Sequence, residues 1–133
     1  MTSLVLDTHS VIWYLNNSSR LSITARQAIR SSIEGGFPVY VSAITIAEVV
    51  YLAEKGRIGR QELEDLLIAI HRSDSGLVAL PFDLALAEML PKIPRDMVPD
   101  MPDRIIAVTA LALNLPLVTI DARISKTSIP ILW

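Results

Sequence analysis

Leu4-Val5-Leu6-Asp7 is three aliphatic residues in a row followed by an acid. A run without polar–apolar alternation predicts a strand covered on both faces, as in a parallel sheet. The pattern recurs outward along the chain. Phe37-Pro38-Val39-Tyr40-Val41 ends at Ser42, Leu77-Val78-Ala79-Leu80 ends at Pro81, and Leu117-Val118-Thr119-Ile120 ends at Asp121. A last run, Ile129-Pro130-Ile131-Leu132-Trp133, carries a proline that fits an edge strand.

Helix signals fill the intervals. Ser22 or Thr24 can cap a segment through Ile33, with Ala25, Ile29 and Ile33 four apart and Gly35-Gly36 as the stop. Ser42 can cap Ala43 to Lys55, which Gly56 ends, and Gly59 to Arg72 puts Leu63, Leu66, Leu67 and Ile70 on one face. Asp83 can cap a short helix stopping near Pro91, and Pro102 opens another through Leu113. Alternating strands and helices predict an α/β class, a three-layer α/β/α sandwich around a mainly parallel sheet. No repeat or linker divides the chain, and the Pro91 to Pro102 segment reads as a loop inside one domain.

Composition narrows the chemistry. At 133 residues, 51% hydrophobic and 20% charged, the chain is neither disordered nor low in complexity. The absence of cysteine excludes disulfides, thiolate zinc sites and cysteine nucleophiles. Two histidines, His9 and His71, are too few for a histidine-rich metal site, and a net charge of −2 offers no excess to attract a polyanion. Met1 to Asp7 has no basic leader, and Ile105 to Val118 is interrupted by Thr109, Asn114 and Pro116. No export signal or membrane span is expected, and the cytoplasm is the expected compartment.

Four acids occupy telling positions. Asp7 and Asp121 directly follow the first and fourth runs, Glu48 lies early in the helix after the second, and Asp103 opens the helix that feeds the fourth. In open α/β sheets, ligands bind beyond the carboxyl ends of strands where strand order reverses. With the order 3-2-1-4-5, all four carboxylates share that edge. Two like charges at about 4 Å cost about 4 kcal/mol at an effective dielectric near 20, enough to demand a proton or a cation. Oxygen-only donors suit Mg²⁺ or Mn²⁺, ions that assist in-line hydrolysis of phosphodiesters. Each acid also has a purely structural role open to it. Asp7 can cap Thr8 to Leu15, Asp103 can favour its helix dipole, and Asp121 can begin a turn with Ala122-Arg123. Glu48 is harder to explain that way, because Ile44, Ile46, Val49, Val50 and Leu52 surround it with apolar side chains.

Leu4-Val5-Leu6-Asp7-Thr8-His9-Ser10 with Trp13, Ser42-Ala43-Ile44-Thr45-Ile46-Ala47-Glu48, Met101-Pro102-Asp103-Arg104-Ile105-Ile106-Ala107 and Leu117-Val118-Thr119-Ile120-Asp121 together resemble the PIN-domain family. Within it they look most like the VapC ribonuclease toxins of toxin–antitoxin pairs. The resemblance covers nearly the whole chain and implies a single PIN-like nuclease domain over residues 1–133. It further implies Mg²⁺- or Mn²⁺-dependent cleavage of RNA, commonly transfer RNA, together with a homodimer and a cognate antitoxin. Carried over by position, Asp7 and Asp103 are the core metal ligands, and Glu48 and Asp121 complete the set. Thr119 is the hydroxyl residue that orients an acid or a water, and Thr8 and Ser10 support the site from behind. Where the family often has arginine between Thr119 and Asp121, this chain has Ile120, which removes one basic contact to RNA or antitoxin. Asp100 stands near enough to rival Asp103, though its place before Pro102 suits a loop acid.

Setting the four acids aside turns the net charge of −2 into +2, which leaves Arg104 and Arg123 to touch phosphates. His9 reads as a structural hydrogen-bonder, and Trp13 and Tyr14 as core or dimer contacts. The helices Ile44 to Leu52 and Leu63 to Ile70 are open to use as dimer seam, antitoxin groove or plain core. Two other readings share the architecture. A receiver-like phosphotransfer domain needs an aspartate directly after the third strand, where this chain has Pro81-Phe82-Asp83. A dehalogenase-like phosphatase needs a second aspartate at position 9, which is His9. A catalytically inactive α/β binding module remains the third.

Overall fold

The computed structural model describes residues 2–133. Five parallel strands form one sheet: β1 (Leu4–Leu6), β2 (Val39–Ser42), β3 (Leu77–Leu80), β4 (Leu117–Val118) and β5 (Ile131–Leu132), in the order β3-β2-β1-β4-β5. The helices are α1 (Thr8–Leu15), α2 (Ile23–Glu34), α3 (Ala43–Glu54), α4 (Arg60–His71), α5 (Leu84–Met89) and α6 (Met101–Leu113). Two short 3₁₀ turns, Leu90–Lys92 and Ile124–Lys126, were not anticipated by the hydrophobic pattern.

The period-two geometry of β1 divides the interior. Leu4 and Leu6 point into one core with Val11 and Ile12 of α1, Ala25 and Ile29 of α2, and Leu66 of α4. Val5 points into the other, with Ile106, Ala107 and Ala110 of α6. The α3 helix serves both, sending Val49 to the first and Ile44 to the second. Helices therefore cover both faces, as the unalternated strands require.

Side chains fix the helix starts. Ser22 accepts from the Ala25 amide at 3.0 Å, Ser42 from Ile44 at 3.2 Å and Asp83 from Leu86 at 3.0 Å. Asp100, expected in a loop, is the cap of α6 and accepts from the Asp103 amide at 3.1 Å. At the start of β3, Gly76 has φ +80°, and a Cβ there would stand 2.6 Å from the Ile33 side chain, so no larger residue fits.

Several expectations shift. The strand run beginning at Phe37 enters the sheet only at Val39, leaving Phe37 exposed. Leu67 faces solvent rather than sharing the buried face of α4 with Leu66. β4 ends at Val118, because Thr119 turns its hydroxyl to Asp7 and its chain leaves the ladder. Pro130 lies just before the edge strand β5, where its carbonyl accepts from Leu117 at 2.9 Å. No helix is long and apolar enough to cross a membrane among the described residues.

The strand order also bears on the competing readings. Receiver-like sheets run 2-1-3-4-5, whereas here β1 stands between β2 and β4. Asp83, the acid nearest the end of β3, is engaged as the cap of α5.

Candidate active site

Because the strands are parallel and in register, Leu6 pairing with Val41 and with Val118, their carboxyl ends share one edge. Strand order reverses between β1 and β4, and Asp7 emerges at that point. Its carboxylate is held from two sides. Oδ1 accepts from the Ser10 amide at 2.9 Å, so Asp7 does cap α1, and Oδ2 accepts from the buried Thr119 hydroxyl at 2.5 Å. The capping role and a role in the site are thus compatible. Ser10 also donates through Oγ to the Val118 carbonyl at 3.0 Å, tying α1 to β4 beneath the acid.

Thr119 does two things with one hydroxyl. It donates to Asp7 and accepts from the Asp121 amide at 3.0 Å, joining two of the four acids. Asp121 is bound by Arg123 through its amide at 2.9 Å, Nε at 3.2 Å and Nη2 at 3.0 Å. Hydrogen bonds from Arg123 hold the Asp121 carboxyl below the usual carboxylate range, against the opposing effect of burial. The same guanidinium lies 3.9 Å from Asp103.

Glu48 is half-buried on α3 and accepts a 2.5 Å hydrogen bond from Thr8, whose hydroxyl lies 3.2 Å from that of Thr45. Thr8, expected to support the site, reaches the Glu48 carboxylate. Thr45 went unnoticed in the sequence, although its position three residues before Glu48, one helical turn back, is the signal that could have found it.

Asp103 is where the four acids meet electrically. Burial, followed by the charges of Asp100, Glu48, Asp121 and Asp7, pushes its carboxyl up to about 7. The other three acids therefore lie near enough to act on Asp103, as does Asp100. They do not form a closed cage: among the described residues no group of three or more acidic or imidazole side chains is arranged to hold a metal ion. Three of the acids are turned to partners of their own, Asp7 to Thr119, Glu48 to Thr8 and Asp121 to Arg123. The donor set still fits a hard cation, since it is all oxygen and one member, Asp103, is driven toward holding a proton by burial and by the neighbouring carboxylates.

Two neighbours depart from expectation. Arg104 is not free for phosphate, because Nε donates to the Ile93 carbonyl at 2.8 Å and Nη2 to Leu90 at 3.0 Å. Its guanidinium instead secures the turn ahead of α6. His9 is exposed and leans on Trp13, with ring centroids 5.5 Å apart, rather than acting as a structural hydrogen-bonder. Trp13 also meets Trp133 edge-on at 5.9 Å and packs on the core, as expected of it.

The profile of the PIN domain family matches residues 4–130. Ribonuclease VapC22 of Mycobacterium tuberculosis (strain ATCC 25618 / H37Rv) is 31% identical over 124 residues, covering 93% of this chain and 91% of that protein. The crystal structure of VapBC2 from Rickettsia felis, bound to a DNA fragment from their promoter, aligns with TM-score 0.72 at 17% identity over 98% of this chain and 97% of that one. DNA-bound VapBC from Salmonella typhimurium aligns with TM-score 0.68 at 22% identity over 98% and 97% of the two chains. Those two likenesses establish the fold.

Proposed function

Because the chain belongs to the PIN-domain family, we propose that it is a VapC-type ribonuclease, the toxin of a toxin–antitoxin pair, acting over residues 1–133 as one nuclease domain. It cleaves RNA phosphodiester bonds, with transfer RNA the favoured substrate class, and depends on Mg²⁺ or Mn²⁺. The observation that carries the reading is the gathering of acids where strand order reverses: Thr119 bonds both Asp7 and the Asp121 amide, Arg123 lies against Asp121 and Asp103, and burial, followed by the neighbouring carboxylates, pushes the Asp103 carboxyl up to about 7. Several carboxylates gathered at the reversal point of an α/β sheet, with Arg123 only partly offsetting them, favour a further cation there.

Asp7 and Asp103 are the core ligands, with Glu48 and Asp121 completing the set. A bound divalent cation supplies positive charge at the scissile phosphate and lowers the pKa of the attacking water. The protein supplies orientation. Thr119 holds Asp7 in one rotamer and ties it to the start of the Asp121 turn, while Thr8 holds Glu48. Arg123 donates through Nε and Nη2 to Asp121 but, unlike Arg104, is half-exposed beside the acids, where its charge can attract an RNA phosphate. The outer residues of α3 and α4, Tyr51 and Ile68, remain exposed and offer apolar surface to a second copy or to the antitoxin. The protein works in the cytoplasm, where its RNA substrate is found.

The test is cleavage of RNA by the purified chain with and without Mg²⁺. Activity is expected to need the ion and to fall at least ~100-fold in Asp7→Asn, while Asp83→Asn, which alters only the cap of α5, keeps it. Cleavage that survives in Asp7→Asn or in excess chelator overturns the proposal.

A further inference from the structure

We infer that Thr45 is a positioning residue for Glu48, acting through Thr8. Thr45 is 0% exposed and Thr8 2%, so neither hydroxyl reaches water and each must find a partner inside the protein. A threonine hydroxyl has one hydrogen to give, and an ionised carboxylate can only accept. Thr8 lies 2.5 Å from Glu48 Oε1, so its hydrogen goes there. The remaining contact, 3.2 Å between the two hydroxyls, must then run the other way, from Thr45 to Thr8. The direction of the chain is fixed: Thr45 donates to Thr8, and Thr8 donates to Glu48.

The helix makes this arrangement available. A threonine inside a helix commonly donates to the carbonyl four residues back, as Thr109 does to Ile105 at 2.8 Å. Thr45 sits in the first turn of α3, and four residues back lies Val41 in β2, outside the helix. Its hydroxyl is thereby free to turn to α1. Thr45 and Glu48 are three residues apart on one face, so α3 supplies both ends of the relay and α1 the middle. Because Thr8 follows Asp7 directly, the relay locks the helix bearing one acid against the start of the helix bearing another. Donation from Thr45 also polarises the Thr8 hydroxyl and strengthens its bond to the carboxylate. A glutamate otherwise free to sample several rotamers is thus held in one.

This inference rests on the ribonuclease reading for its catalytic consequence, though not for its geometry. The test compares Thr45→Val, which keeps the shape and removes the hydroxyl, with Thr45→Ser, which keeps the hydroxyl. In both, thermal melting confirms a folded protein. Calorimetric titration with Mn²⁺ in the absence of RNA is expected to show about tenfold weaker binding in Thr45→Val and wild-type affinity within about twofold in Thr45→Ser. In RNA cleavage, kcat falls in Thr45→Val with KM nearly unchanged, and serine restores it. In metal-free protein the Glu48 carboxyl carbon resonance shifts and broadens in Thr45→Val but not in Thr45→Ser. An unchanged Glu48 resonance in folded Thr45→Val overturns the inference, as does a serine variant that behaves like valine. Wild-type protein that neither binds Mn²⁺ nor cleaves RNA would sink the ribonuclease reading instead, and the Glu48 resonance would still decide the role of Thr45.

Discussion

At Asp103, burial and four neighbouring carboxylates act in the same direction, and the sign of their effect on stability follows from the proton count. The folded protein keeps a proton on Asp103 up to about 7, while the unfolded chain releases it near 3.8. Stability therefore falls as pH rises from about 4 to about 7 and is level above that. Asp103→Asn has no proton to lose and escapes the decline. In metal-free protein it is expected to raise Tm by about 4 °C at pH 8, on the order of 1 kcal/mol after allowance for solvent screening, with a smaller gain at pH 5. A gain independent of pH would show that charge is not the cause. Thr119 makes a different kind of contribution. Thr119→Val removes both the bond to Asp7 and the acceptor for the Asp121 amide, and cleavage should fall ~10- to 100-fold while Thr119→Ser keeps most of it.

At the scale of the element, Asp100 joins two effects that substitution can separate. It caps α6 through the Asp103 amide, and its charge burdens the Asp103 side chain. Asparagine caps about as well as aspartate, whereas alanine does not cap. At pH 8 Asp100→Asn should melt at or above the wild type, and Asp100→Ala about 4 °C below Asp100→Asn, the cost of a lost cap at roughly 1 kcal/mol. Both variants remove the charge, so their difference in thermal melting measures the cap alone. The helix starts were legible in the sequence because a capping side chain acts within three residues of itself, as at Ser22, Ser42 and Asp83. The 3₁₀ turn at Leu90–Lys92 was not, since what steadies it is Arg104, reaching back from α6 to carbonyls more than ten residues away. An arginine in a sequence announces its charge but not its partner. The relay from Thr45 was hidden for the same reason: burial of both hydroxyls depends on how α1 meets α3.

At the scale of the molecule, the strand order places the acids together; unalternated runs in the sequence argue for parallel strands, whereas the order β3-β2-β1-β4-β5 is a premise of the sequence reading that the structure supplies. What the sequence could not supply was the balance between attraction and repulsion once the acids met. Asp7, Glu48 and Asp121 each have a hydrogen-bond partner that steadies them, whereas Asp103 has only the Arg123 guanidinium at 3.9 Å, and burial together with the neighbouring carboxylates favours a held proton there. On the proposed function this makes cation binding and proton release one event. With its carboxyl at about 7, Asp103 is protonated in roughly nine of ten molecules at pH 6 and ionised in roughly nine of ten at pH 8. A divalent ion must displace that proton at pH 6, so apparent affinity should be about tenfold lower there, equivalent to about 1.4 kcal/mol. Below saturation, the rise in Tm on adding Mg²⁺ is then expected to be several degrees larger at pH 8 than at pH 6, as mass action passes the difference in affinity to stability. Asp103→Asn should abolish that dependence on pH, whatever residual binding it retains. Scanning calorimetry at the two pH values, with and without Mg²⁺, makes the comparison. Equal shifts at both would mean that Asp103 does not give up its proton to the ion and is not one of its ligands.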